Sequence, residues 1–256
     1  MRNFAIVGTD ASVGKSYIAK LIVNDLKSRG LSVAYFKPIA CGTRQDVREL
    51  REVCGIDESL ELLNPYYYRS SVSTAAAAEV EGKAVNVDEI KAAYAQLSAK
   101  YDCVVVEGGE GVNEPLNANG LTAGALMQEL GVPSVLIIGN KRGAVNHALM
   151  STKMIENLGG KLLGVIFNTR QDEWDLACVT NRSVFEKCSP GIPVIDELIH
   201  GQDTIDIEIL LEHIMEDKDF SSVETVLHTP LAGRPLSEVC NEQAHISFED
   251  DDAPAH

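Results

Sequence analysis

The chain reads as an α/β fold of three layers, α/β/α, built on a mostly parallel sheet. Three observations predict it. Short runs rich in Val and Ile recur along the chain and are apolar at nearly every position, as strands buried on both faces must be. Segments with apolar residues at helical spacing separate them, which is the alternation of a crossover-connected sheet. The first strand also runs directly into a glycine-containing turn and a helix, "GTDASVGKS" from Gly8 to Ser16.

Taken in order, "FAIVG" is a buried strand, and residues 16–30 form a helix stopped by Gly30. Residues 31–38 are a second strand and 44–55 a short charged helix ending at Gly55. Residues 62–73 hold three adjacent tyrosines and read as irregular. Residues 87–101 form an amphipathic helix. Strands are expected at 102–111, 132–140, 161–169 and 192–198, and helices at 122–131, 144–160, 173–188 and 206–215. Residues 1–217 are therefore expected to form one domain. The periodic pattern fades beyond it, so 218–256, ending "FEDDDAPAH", reads as an acidic extension expected to be partly disordered.

Composition narrows the function. The 256 residues are 45% hydrophobic and 23% charged, ordinary for a globular chain, and carry a formal charge of −16. That acidity argues against a nucleic-acid partner, which needs cations to displace counterions, and against docking on anionic lipid. No apolar run is long enough to span a bilayer, and no secretion signal precedes the first strand. A cytoplasmic location is expected. The six cysteines form no C-x-x-C pair and the histidines are scattered, so neither a disulfide framework nor a zinc site is expected.

The glycine-rich turn carries the chemistry. The usual phosphate-binding loop is G-x-x-x-x-G-K-[ST]. Here Gly14, Lys15 and Ser16 fit, but Thr9 stands where the first glycine is expected and Gly8 sits one residue early. The flanking strand and helix are the context the motif requires. Turn N–H groups and the helix dipole can hold a phosphate, Lys15 can reach its oxygens, and the Ser16 hydroxyl suits Mg²⁺. Partitioning and arsenite ATPases carry a second lysine four residues before the last glycine. That position is Asp10, which disfavours them.

A loop of the form G-T-D-x-x-V-G-K-[ST] resembles that of the dethiobiotin synthetases, which are P-loop NTPase-like and Rossmann-like enzymes. "YFKPIACG", "VVVEGGEG", "NKRGAVNHALM" and "GVIFNT" follow in order and are similar to further segments of that family. The resemblance covers roughly residues 1–210. It implies an ATP- and Mg²⁺-dependent cyclo-ligase that joins 7,8-diaminononanoate with CO₂ or bicarbonate. The product is dethiobiotin, formed through a carbamate and a carbamic-phosphoric anhydride with release of ADP and phosphate.

The same resemblance implies the site. Nucleotide contacts fall to Ser12, Val13, Gly14, Lys15, Ser16, Tyr17, Glu107, Gly108, Asn168 and Thr169, with Asn168 reading adenine. Mg²⁺ falls to Ser16, Asp46 and Glu107. Lys15 and Lys37 are the catalytic cations, and Lys37, Cys41, Gly143, Ala144 and Asn146 meet the diamine. The last three are expected to reach across a homodimer into the partner's site. From the residues alone, Lys37 and Glu107 stand at strand ends, where a parallel sheet presents its ligand crevice.

Some positions depart from the family pattern. Ala11 replaces a common threonine, Ser12 a common glutamate and Cys41 a small hydroxyl residue. Glu110 stands in place of a glycine, and "DELIHG" lacks a proline expected near adenine. Two other readings therefore stay open: a related ATP-dependent synthetase with another substrate, and a nucleotide-binding regulatory module that has lost catalysis.

Overall fold

The computed structural model describes residues 2–170 and 175–215; the expected acidic extension, 218–256, lies outside them. In chain order the elements are β1 (Phe4–Gly8), α1 (Lys15–Ser28), β2 (Val33–Phe36), β3 (Ile39–Cys41), α2 (Gln45–Cys54), α3 (Leu60–Leu63), β4 (Tyr66–Tyr68), α4 (Thr74–Val80) and α5 (Val87–Lys100). Then come β5 (Cys103–Glu107), α6 (Ala123–Glu129), β6 (Ser134–Gly139), α7 (Ala144–Asn157), β7 (Leu162–Asn168), α8 (Leu176–Cys188), β8 (Val194–Leu198) and α9 (Glu208–Ile214).

Six strands form one sheet in the order β2-β5-β1-β6-β7-β8, every pairing parallel. β1 and β5 are buried along their whole length, which explains why they read as unbroken apolar runs. Helices cover both faces. Phe185 of α8, for example, meets Phe167 of β7 edge-on at 5.8 Å, an arrangement worth about 0.5–1.5 kcal/mol beyond burial. The chain leaves β1 toward β2 on one side and reaches β6 on the other. The strand order thus reverses beside β1, and a crevice opens at the C-terminal ends of the strands there. Among the described residues no helix is long and apolar enough to cross a membrane.

One expectation fails. The segment read as irregular, 62–73, contains β4, which pairs in parallel with β3 as a second small sheet: Ile39 lies opposite Tyr66 and Cys41 opposite Tyr68. Tyr66 and Tyr68 are buried and Tyr67 between them is half-buried, a period-two pattern on a strand too short to stand out. Asn64 is fully buried and ties the two strands together, its Nδ2 donating to the carbonyls of Lys37 at 2.7 Å and Tyr66 at 3.1 Å. The helix expected from residue 173 begins at Leu176, and the start of that range, 173–174, lies outside the described residues.

Candidate active site

The displaced glycine has a steric reason. A side chain at Gly8 would come within 2.9 Å of Val13 Cγ2 and 3.0 Å of Lys15 Nζ, so the end of β1 must be bare where the lysine passes over it. The loop then turns through positive φ at Ser12 (56°) and Gly14 (98°) and enters α1. No side chain caps α1 and no acid lies in its first turn. Its leading N–H groups are therefore left for an anion. Lys15 is 8% exposed, with Nζ donating to the carbonyls of Asp10 at 3.1 Å and Glu110 at 2.9 Å. Burial lowers its pKa, with Lys37 adding to the effect against the opposing charges of Glu107, Glu110 and Glu114.

Beside the loop, strand register assembles a charged cluster. Phe36 of β2 lies opposite Val106 of β5, so the next residues, Lys37 and Glu107, emerge side by side. Lys37 Nζ donates to Glu107 Oε1 at 3.0 Å and also to Asp46 Oδ2, brought in by the first turn of α2. Ser16 Oγ donates to Glu107 Oε1 at 2.9 Å and lies 3.4 Å from Asp46 Oδ2. The buried Tyr35 hydroxyl donates to Glu107 Oε2 at 2.8 Å. Burial alone would lower the Lys37 pKa, but the charges of Glu107 and Asp46 outweigh it and hold the ammonium well above its ordinary value.

That cluster fits a Mg²⁺ ion. Its donors are hard oxygens, two carboxylates and a hydroxyl, and the Lys37 ammonium stands in for a cation among them. Two protein carboxylates are too few to enclose a metal, and the described residues hold no group of three or more His, Cys, Asp or Glu able to do so. Mg²⁺ is usually bound in that way, by one or two carboxylates with phosphate and water completing the octahedron.

The loop, with Lys37 and Glu107 of the cluster, lines a cleft of about 310 Å³. Its lining also includes Ile39, Ala40 and Cys41 of β3, Val72, Thr74 at the start of α4, Gly109, Glu110 and Glu114 after β5, and Arg170 after β7. Cys41 Sγ lies 3.8 Å from Thr74 Oγ1, and burial raises its thiol pKa. Arg170 donates to the Ser12 carbonyl. Beneath the loop, Asn168 is 4% exposed and its Nδ2 donates to the Val13 carbonyl at 2.8 Å. Thr169 accepts from Asn140 Nδ2 at 3.1 Å. Asn140 is itself buried and bound to Glu197 and Asn181, so it ties the ends of β6, β7 and β8 together.

A family model described as an AAA domain matches residues 2–204. An ATP-dependent dethiobiotin synthetase of Akkermansia muciniphila is 46% identical over 214 residues, covering 84% of this chain and 100% of its own. Its counterpart in Clostridium kluyveri is 32% identical, covering 87% and 96%. The chain belongs to the dethiobiotin synthetase family. As a dethiobiotin synthetase family member it is an ATP-dependent cyclo-ligase. Among solved structures, the ATP complex of Cyanothece McdA aligns with a TM-score of 0.54 at 14% identity, over 89% of this chain and 99% of that one. A plasmid partition protein of Borrelia burgdorferi gives 0.51 at 13%, over 83% and 96%. These likenesses show a shared α/β fold.

Of the residues the synthetase resemblance implies, Ser12, Gly14, Lys15, Ser16, Tyr17, Lys37, Cys41 and Glu107 line the one cleft. Asp46 joins them through Lys37. Val13, Gly108, Asn168 and Thr169 lie behind that surface: Val13 is buried, Gly108 N donates to the Ile6 carbonyl at 2.9 Å, and the Asn168 amide is engaged by the loop. Gly143, Ala144 and Asn146 do not line this cleft. They begin α7, where Gly143 has φ 87° and no side chain caps the helix. Sequence reasoning missed Tyr35, Thr74, Glu114 and Arg170. Tyr35 is hidden in a strand, and Glu114 and Arg170 follow recognised motifs without belonging to them. Thr74 carried one usable signal, a hydroxyl residue opening an alanine run.

Proposed function

We propose that this protein carboxylates 7,8-diaminononanoate with CO₂ and closes the ureido ring at the expense of ATP, releasing dethiobiotin, ADP and phosphate in the cytoplasm. The observation that carries the reading is the convergence of Lys37, Ser16, Asp46 and Glu107 on an uncapped phosphate loop, in a chain of this family. Residues 1–217 are taken as the catalytic domain.

The α1 N–H groups and Lys15 would bind the phosphates, and Ser16, Asp46 and Glu107 would hold Mg²⁺. When bound, Mg²⁺ supplies charge neutralisation at the phosphate oxygens. Lys37, once Mg²⁺ took its place on the carboxylates, would offset the charge that develops as a carbamate oxygen attacks the γ-phosphate. Tyr35 keeps Glu107 Oε2 occupied, so that Oε1 faces Ser16 and the cleft. The apolar wall at Ile39, Cys41 and Val72 suits an alkyl chain. No nucleophilic side chain is needed, because positioning and charge stabilisation suffice for phosphoryl transfer.

The reading includes a homodimer in which Gly143, Ala144 and Asn146 complete the partner's site. An uncapped helix start without an acid in its first turn, as at α7, suits a substrate carboxylate. The test is ADP release with and without the diamine and bicarbonate, with dethiobiotin identified by mass spectrometry. ADP release that ignores both compounds would overturn the reading in favour of a nucleotide-binding module.

A further inference from the structure

Glu114 is a charged group of the cleft to which the proposed reaction gives no task. Glu114 sits in the segment between β5 and α6, its backbone fixed at both ends: its N–H donates to the Gly111 carbonyl at 3.1 Å, and its carbonyl accepts from Ala123 N at 2.9 Å. Its side chain is fixed as well. Oε1 accepts from Thr74 N at 3.2 Å and Thr74 Oγ1 at 2.9 Å, and Oε2 accepts from Glu110 N at 2.6 Å.

We propose that Glu114 is the amine-binding carboxylate of this site: it holds the amino group that has not become the carbamate, and so selects diamines over monoamines. The inference rests on the reaction proposed above.

Three arguments support it. The donors to Glu114 are all neutral, and among the described residues it forms no ion pair. A carboxylate has about four acceptor sites, so three bonds leave one open, on Oε2. Next, the cations of the cleft are committed elsewhere. Lys37 lies on Asp46 and Glu107, Arg170 on the Ser12 carbonyl, and Lys15 beside the phosphate loop. A carboxylate in that cleft repels a polyphosphate but complements an ammonium, so the charge layout suits a ligand pair that is anionic at one end and cationic at the other. Finally, Glu114 is bonded to Thr74, whose Oγ1 lies 3.8 Å from Cys41 Sγ on the wall suited to the alkyl chain. A preorganised carboxylate there orients an amine without paying rotamer entropy on binding.

A purely structural Glu114 would cap α4 and pin the 109–111 turn. That turn also supplies the Glu110 carbonyl to Lys15, so loss of the pin would weaken nucleotide and diamine alike. Calorimetry separates the two roles. Wild type, Glu114→Gln and Glu114→Asp are titrated with Mg²⁺ and a non-hydrolysable ATP analogue, then with the diamine and with the two monoamines lacking one amino group each. Glu114→Gln is expected to bind the nucleotide as wild type does and the diamine roughly 10- to 100-fold more weakly, the loss of one charge-assisted hydrogen bond. One monoamine should bind wild type and Glu114→Gln equally well, and Glu114→Asp should recover part of the diamine affinity. Unchanged diamine affinity in Glu114→Gln overturns the inference. So do parallel losses of nucleotide and diamine that Glu114→Asp fails to relieve. A wild-type protein that takes the nucleotide but not the diamine overturns the reaction itself, and this inference with it.

Discussion

Lys37 and Glu107 lie 3.0 Å apart, Nζ to Oε1, although 70 residues separate them. They are neighbours because β2 and β5 pair in parallel with Phe36 opposite Val106. Glu107 is 2% exposed, so Lys37 neutralises a carboxylate that is largely withdrawn from water. The same carboxylates belong to the proposed metal site, so the lysine and the metal compete for them.

Replacing Lys37 therefore affects stability as well as activity. Lys37→Ala leaves Glu107 without its cation, and breaking a buried pair in this way costs about 3–5 kcal/mol. The Lys37 pKa is raised in the folded state. Its contribution is thus complete below the ordinary lysine range, about 10.4, and fades as the pH climbs through the raised folded value. Urea denaturation should show the variant weakened without metal and rescued by Mg²⁺ more than wild type is. Turnover should fall at least ~100-fold, typical for loss of one charge-stabilising contact. Equal stabilisation of both proteins by Mg²⁺ would separate Lys37 from the metal.

Asn168→Ala should loosen the phosphate loop. The substitution leaves the Val13 carbonyl without its 2.8 Å donor, at a cost of about 1–3 kcal/mol. Nucleotide affinity should fall for the triphosphate and for inorganic triphosphate alike, because the damage lies under the loop. A loss confined to ligands carrying adenine would instead give Asn168 the base-reading role that the family resemblance implies.

Cys41 should be a slow nucleophile. Burial raises its pKa, so less thiolate is present at any given pH, and the thiolate is the form that reacts. Peptide mass spectrometry after iodoacetamide treatment at neutral pH should find Cys41 alkylated more slowly than an unstructured thiol. Its reaction should accelerate only above the ordinary thiol pKa of about 8.5. Rapid labelling near neutrality would contradict the environment described for the cleft wall.

The shared-site proposal has a sharp signature. Lys15→Ala disables the loop half of a site and Asn146→Trp the α7 half. In a mixed dimer one site carries both lesions and the other neither. Equal amounts after random exchange should restore roughly a quarter of wild-type activity. With exchange verified by a mass tag, a mixture as inactive as its parents would refute a site completed by the partner.

Much of the site was legible because it is local. "GTDASVGKS" carries its own turn chemistry, and Lys37 and Glu107 each end an apolar run, which marks the rim of a parallel sheet. Even the odd placement of Gly8 could be read, though its reason, the passage of Lys15 and Val13 above it, could not. The parallel β3–β4 pair escaped notice because strands of three residues carry too little periodicity to separate from a loop. Asn168 was assigned by resemblance to adenine, and its contact with Val13 was invisible because the two stand 155 positions apart.

The sequence by itself determined the alternation of strands and helices, the phosphate loop, and the charged residues at the strand ends, because each is written in contiguous residues as a period or a motif. Only the tertiary structure decided which side chains meet. Strand order and register set Lys37 against Glu107, seated Tyr35 behind it, and brought Thr74 to Glu114 across 40 residues. Such distances depend on how separate segments pack, and no local pattern encodes them.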